Sequence, residues 1–208
     1  MEIAEKLMKN GAQVNITNKQ GWSPLVAAIH GGNLELIKKI IAKGADINGN
    51  QENRPMHAAI FKNNQPIFEL LLSSGADIHH LDQDKQTTLM YAAAAGNLSI
   101  ANILIKHGIN VDAQDCDGST ALIIASIRQQ TNIVPVLLRA GADINIQDNQ
   151  KNTAIIYAIK NELYPTITKL LVAGANLEIT NKKGENALTL AKKSNNNIII
   201  QLLQKYTV

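Results

Sequence analysis

The chain has 208 residues, 45% of them hydrophobic but only 3% aromatic, and a formal net charge of +3. That charge argues neither for nor against a nucleic-acid partner, the lone Cys116 excludes an intramolecular disulfide, and no apolar run reaches the roughly 20 residues of a membrane span. The first ten residues, MEIAEKLMKN, lack the apolar stretch of a secretory signal, so a cytoplasmic location is expected. With so few aromatics, alanine, leucine and isoleucine are expected to make the core.

Glycine recurs at Gly11, Gly44, Gly75, Gly108, Gly141 and Gly174, in steps of 33, 31, 33, 33 and 33 residues. These glycines open the segments GAQVN, GADIN, GADIH, GINVD, GADIN and GANLE. A second landmark runs in phase: Ser23-Pro24-Leu25, Arg54-Pro55-Met56-His57, Thr87-Thr88-Leu89, Thr120-Ala121-Leu122, Thr153-Ala154-Ile155 and Asn186-Ala187-Leu188. A fixed period of this size marks stacked repeats, each touching only its neighbours. The expected organisation is one domain over 1–208. A half unit at 1–15 is followed by full units at 16–48, 49–79, 80–112, 113–145 and 146–178, then a capping unit at 179–208.

In chain order, residues 1–15 match only the second half of a unit and predict a single leading helix. In 16–48, Leu34, Ile37, Ile40 and Ile41 have helical spacing. In 49–79 the stretch from Gly44 to Arg54 is two residues shorter than that from Gly75 to Thr87, which predicts a stunted second finger. In 80–112, residues 82–86 form a finger tip and Thr87 caps the first helix. Leu89, Ala92 and Ala93 then face inward, and Gly96 ends the helix in the left-handed region. Asn97 caps the second helix, with Leu98, Ile103 and Leu104 as its apolar stripe. In 113–145, Ile133, Leu137 and Leu138 repeat that stripe. Gln129 stands where a helix-ending glycine is expected, as Glu162 does in the next unit, and both turns are expected to be rebuilt to avoid a left-handed backbone. Pro135 is placed inside its second helix, where it removes a donor. Pro66 and Pro165 lie nearer helix starts. In 179–208, Lys192 and Gln204 replace core residues, as a capping unit requires.

A search for chemistry finds little. His79, His80 and Asp82 lack convergent metal-ligand spacing. Cys116 sits between Asp115 and Asp117, whose charges disfavour a thiolate. No phosphate-binding glycine loop, nucleophile elbow or metalloprotease motif is present. The expectation is a non-enzyme with no catalytic residue, no cofactor and no metal. Lys182, Lys183, Lys192 and Lys193 form a basic cluster, either a solvated cap or a contact for an acidic or phosphate-bearing partner.

The 33-residue unit, with variants of a T-P-L-H landmark such as Arg54-Pro55-Met56-His57, a second apolar helix and G-A-D-I-N, resembles the ankyrin repeat. The resemblance implies an all-α solenoid of stacked helix pairs with β-hairpin fingers. It implies a structural role for His57 and for the aspartate pairs Asp82/Asp84 and Asp115/Asp117. Ankyrin arrays usually bind protein through a concave face of finger tips and first helices. Carried onto this sequence, that face includes Asn152, Lys160, Asn161, Lys182, Lys183 and Glu185, and the predicted binding centre is Trp22, His30, Phe61, Lys62, Gln83, Gln86 and Arg128. The alternative for Trp22 is packing on the next finger. Asn15, Asn48 and Asn145 resemble substrates of an asparaginyl hydroxylase.

The implied function is a protein–protein interaction module, monomeric alone, with a protein partner. Membrane binding is not expected, and weak basicity with few aromatics speaks against nucleic acid. Abundant asparagine, isoleucine and lysine suggest an AT-rich genome and a secreted effector of an intracellular bacterium, acting in the host cell. The alternative is a scaffold or targeting fragment of a larger protein.

Overall fold

A computed structural model describes residues 10–50 and 54–206. The leading helix expected in 1–15 falls mostly outside them, as does the stunted tip at 51–53. The chain forms two compact units, residues 1–83 and 84–208.

The first unit contains α1 (Pro24–His30), α2 (Leu34–Ala42), α3 (Pro55–Phe61) and α4 (Gln65–Ser73). Each start is encoded locally. Ser23 Oγ accepts from the Val26 N–H at 3.3 Å, Asn33 Oδ1 from Leu36 at 3.0 Å and Asn64 Oδ1 from Ile67 at 3.1 Å. Each satisfies an N–H that the helix leaves unpaired. Pro24, Pro55 and Pro66 lie in first turns, where a missing N–H costs nothing. α1 packs on α2 and α3, α3 on α4, and α2 on α4. Leu25, Ile29, Ile37, Ile60, Ile67, Phe68 and Leu71 are fully buried between them. Phe68 thus adds an aromatic to a core expected to be aliphatic.

The second unit contains α5 (Thr88–Ala95), α6 (Leu98–Lys106), α7 (Ala121–Ile127), α8 (Val134–Arg139), α9 (Ala154–Lys160), α10 (Tyr164–Val172), α11 (Ala187–Lys193) and α12 (Asn197–Gln204). The first helices α5, α7, α9 and α11 pack in succession. The second helices α6, α8, α10 and α12 form a parallel row behind them, each also packed on its own partner. Leu89, Ala92 and Ala93 are fully buried, and their small or single-branched side chains let the rows approach. Each unit is therefore a solenoid stack of helix pairs.

Several expectations are corrected. The fingers themselves are short hairpin turns, each closed by a backbone bond such as Asp148 N–H to Asn152 O at 3.0 Å, and among the described residues there is no extended sheet. Leu104 faces inward as expected, but its partners in the stripe are Ile100 and Ala101, while Leu98, the first residue of α6, is 37% exposed and Ile103 is half-buried. Asn97 is the N-cap of α6 without a side-chain cap bond. Pro135 does not interrupt a helix. Residues 131–133 form a turn and α8 starts at Val134, leaving Pro135 in its first turn. Gln129 and Glu162 keep the left-handed backbone, at φ 60° and 53°, so those turns are strained rather than rebuilt. Gly96 (φ 69°) and the Thr87 cap are as expected. Lys192 and Gln204 are exposed.

Candidate partner-binding surface

The finger ends share one device. Asn18 Oδ1 accepts from the N–H groups of Gln20 and Trp22 at 2.9 and 3.0 Å. Asp115 does the same for Asp117 and Ser119, Asp148 for Gln150 and Asn152, and Asn181 for Lys183 and Glu185, all at 2.8–3.0 Å. Each turn closes through a left-handed residue, glycine at Gly21, Gly118 and Gly184 but lysine at Lys151 (φ 58°), as a three-residue hairpin loop requires. In the second unit the fingers are tied together. The Cys116 N–H donates to Asp84 O at 2.8 Å, Asn149 to Asp117 O at 2.8 Å and Lys182 to Gln150 O at 3.0 Å. In the first unit Asn15 Oδ1 accepts from the Asp46 N–H and Asn48 Oδ1 from Asp77, and in the second Asn145 Oδ1 accepts from Asn176. Each of these asparagines joins consecutive repeats within its own unit.

In the first unit the structure brings Trp22 and His30 together. Their rings stack with centroids 4.2 Å apart and planes at 16°. His30 Nδ1 lies 3.0 Å from Val26 O, which fixes the imidazole as a platform. Trp22 remains 37% exposed, and Phe61, at the end of the neighbouring α3, is 66% exposed. His30 and Phe61 are the last residues of α1 and α3, so they hold the same register position on packed helices. Lys62 and Gln83 are exposed. Gln86 (half-buried) and Arg128 (exposed) belong to the second unit.

The second unit holds a polar network that the sequence lists only as separate surface positions. Tyr157 donates its hydroxyl to Asp148 Oδ2 at 2.6 Å and accepts from Asn152 Nδ2 at 3.2 Å. Asn152 Oδ1 accepts from Lys160 Nζ at 2.9 Å and from Asn181 Nδ2 at 3.3 Å. Asn181 Nδ2 also reaches Glu185 Oε2 at 3.1 Å, and Lys193 Nζ donates to Glu185 Oε1 at 2.8 Å. Burial, then the bond to anionic Asp148, pushes the Tyr157 phenol up to about 12. Bonds from Lys193 and Asn181 hold the Glu185 carboxyl down at about 2. The Lys160 ammonium is lowered, chiefly by desolvation.

His57 is half-buried, and burial followed by the positive charge of Arg54 pushes its imidazole down to about 4. A neutral structural histidine fits that. Among the described residues no group of three or more His, Cys, Asp or Glu is placed to hold a metal ion. No helix among them is long and apolar enough to cross a membrane.

A family model described as ankyrin repeats, three copies, matches residues 1–82, 63–148 and 128–208. No curated protein matches the chain. The chain belongs to the ankyrin-repeat family, whose members are generally protein–protein interaction modules and typically non-enzymatic.

Proposed function

We propose that this ankyrin-repeat chain holds a partner protein against the face made by its finger ends and first-helix ends, centred in the first unit on Trp22, His30, Phe61 and Lys62. Gln83, exposed in the same unit, extends that centre. The observation that carries the reading is Phe61, 66% exposed at the end of α3 while Phe68, seven residues on, is fully buried. A large aromatic left exposed at the register of His30, on a helix packed against that of the stacked Trp–His pair, suits an interface anchor, since aromatic side chains recur among the residues that dominate binding. The setting proposed is a cytoplasm, and for a secreted effector of an intracellular bacterium it is that of the host.

The test captures partners from cell lysate on the wild-type protein, Phe61→Ala and Lys39→Ala, then titrates the partner identified. Burying a phenylalanine contributes about 1.5–3 kcal/mol, so Phe61→Ala weakens binding about tenfold or more and leaves the melting temperature nearly unchanged. Lys39→Ala, on α2, changes neither. A large fall in melting temperature with intact affinity makes Phe61 a core residue and refutes the reading.

A further inference from the structure

Charge is distributed unevenly along the chain. Residues 146–208 contain eight lysines and four acidic residues, whereas residues 1–145 contain 12 basic and 13 acidic residues. On the first helices of the second unit one register position, repeating every 33 residues, reads Ala94, Ile127, Lys160 and Lys193. Because α7, α9 and α11 pack side by side, this column passes from an apolar side chain, Ile127 at 37% exposed, to cations.

The two lysines of the column differ. Lys193 Nζ is 2.8 Å from a Glu185 carboxylate oxygen. The Lys160 ammonium is instead held by uncharged groups, the amide oxygen of Asn152 at 2.9 Å and the ring of Tyr157 at 5.3 Å. That mount is stiff, since Asn152 is 5% exposed and is itself fixed by Tyr157 and Asn181. An ammonium has three donors, and Asn152 takes one. Lys160 is therefore a positioned cation with donor capacity left, and its charge is raised in influence by partial desolvation. Lys183, exposed on the adjacent finger, lies close enough to add to the same positive field.

We propose that the strip from Ile127 to Lys160 and Lys183 is a docking site for an acidic peptide segment of a protein partner. A carboxylate of the segment takes the open donors of Lys160, and an apolar side chain lies against Ile127. The proposal rests on the chain being a protein-binding module but uses other residues, in the other unit. Packed helices lie about 8–10 Å apart and an extended chain rises about 3.3 Å per residue, so the matching pattern is an apolar residue followed three positions later by a glutamate. Single-stranded nucleic acid fits less well: binding it favours exposed aromatic platforms, and the ring of Tyr157 is covered by Lys160. Glu185 is the built-in competitor, occupying Lys193 and attenuating the field at Lys160.

The experiment is fluorescence anisotropy on the full chain with a labelled peptide of about 12 residues carrying Leu-x-x-Glu-x-x-Glu. The comparison probes are its Gln-for-Glu counterpart, a single-stranded DNA and vesicles containing phosphatidylserine. The acidic peptide binds, and the Gln peptide binds about tenfold more weakly. Lys160→Met weakens the acidic peptide about tenfold. Glu185→Gln strengthens it, which a merely structural role for these residues does not produce. Lys106→Met, equal in charge change but on α6, leaves the affinity unchanged, and unaltered melting curves show that the variants are folded. Phe61→Ala leaves peptide binding intact while losing the lysate partner, which separates this site from the first unit's. The proposal is overturned if the acidic peptide does not bind, if Lys160→Met and Lys106→Met weaken it alike, or if DNA or vesicles bind more tightly than the peptide.

Discussion

Removing the Asp148 carboxylate strikes the finger device and the polar network at one point. Asp148 is 7% exposed. One oxygen accepts the Gln150 and Asn152 N–H groups at 2.8 Å each, and the other accepts the Tyr157 hydroxyl at 2.6 Å. A hydrogen bond to a charged group contributes about 1.5–3 kcal/mol, and a buried donor left unpaired costs about 1–3 kcal/mol. Tyr157 is half-buried and its hydroxyl can turn toward water, so most of the loss falls on the two backbone groups. Asp148→Ala therefore destabilises by about 3–5 kcal/mol. Asp148→Asn is much milder, about 1–2 kcal/mol, because an amide oxygen already closes the same turn at Asn18 and Asn181. What asparagine loses is the acceptor for Tyr157. Tyr157→Phe is thus destabilising alone but nearly silent in the Asp148→Asn background. Urea unfolding followed by circular dichroism, run as this double-mutant cycle, reads both numbers. Equal damage from Asp148→Asn and Asp148→Ala, or strict additivity with Tyr157→Phe, refutes the division of labour between the two oxygens.

Gln129 is exposed with φ 60°. Left-handed backbone costs a side-chain-bearing residue about 1–2 kcal/mol and glycine gives back part through chain entropy, so Gln129→Gly raises the melting temperature by about 2–4 °C in a calorimeter scan; a fall argues that the Gln129 side chain stabilises the turn. Thr166 Oγ1 is fully buried in α10 without a hydrogen-bond partner, so Thr166→Val stabilises by about 1 kcal/mol in urea titration, and destabilisation shows that the hydroxyl is satisfied. Burial, then the Arg54 charge, pushes the His57 imidazole down from 6.5 to about 4. The unfolded chain takes up that proton first, so this contribution to stability is complete above pH 6.5 and is lost as pH falls toward 4. An NMR titration of the ring places the midpoint near 4, and one near 6.5 contradicts its burial.

The repeat and its helix pairs were legible because each unit restates the same capping residues, small inward positions and closing glycine, and six restatements leave little ambiguity. Boundaries that depend on a single backbone conflict were not. Pro135 could sit within a helix or start one, and only the turn at 131–133 decides for the start. At Gln129 and Glu162 the sequence poses a conflict between the repeat and the residue, and stacking of the neighbouring helices wins. The exposed aromatics Trp22 and Phe61 were legible from their register. The Trp22–His30 stack was not, because it depends on the rotamers of two residues in one unit. The network around Lys160 was hidden for another reason. Its members come from two fingers and two helices, and each alone reads as an ordinary solvated polar residue.

The measurement closest to the central claim replaces Phe61 by a photo-crosslinking phenylalanine analogue and compares it with the same analogue at Lys39, in cell extract. Binding through the first-helix and finger side predicts a discrete adduct from position 61, lost when Trp22 is changed to alanine, and none from position 39. Adducts from position 39 with none from position 61 place the partner on the opposite side and contradict the account.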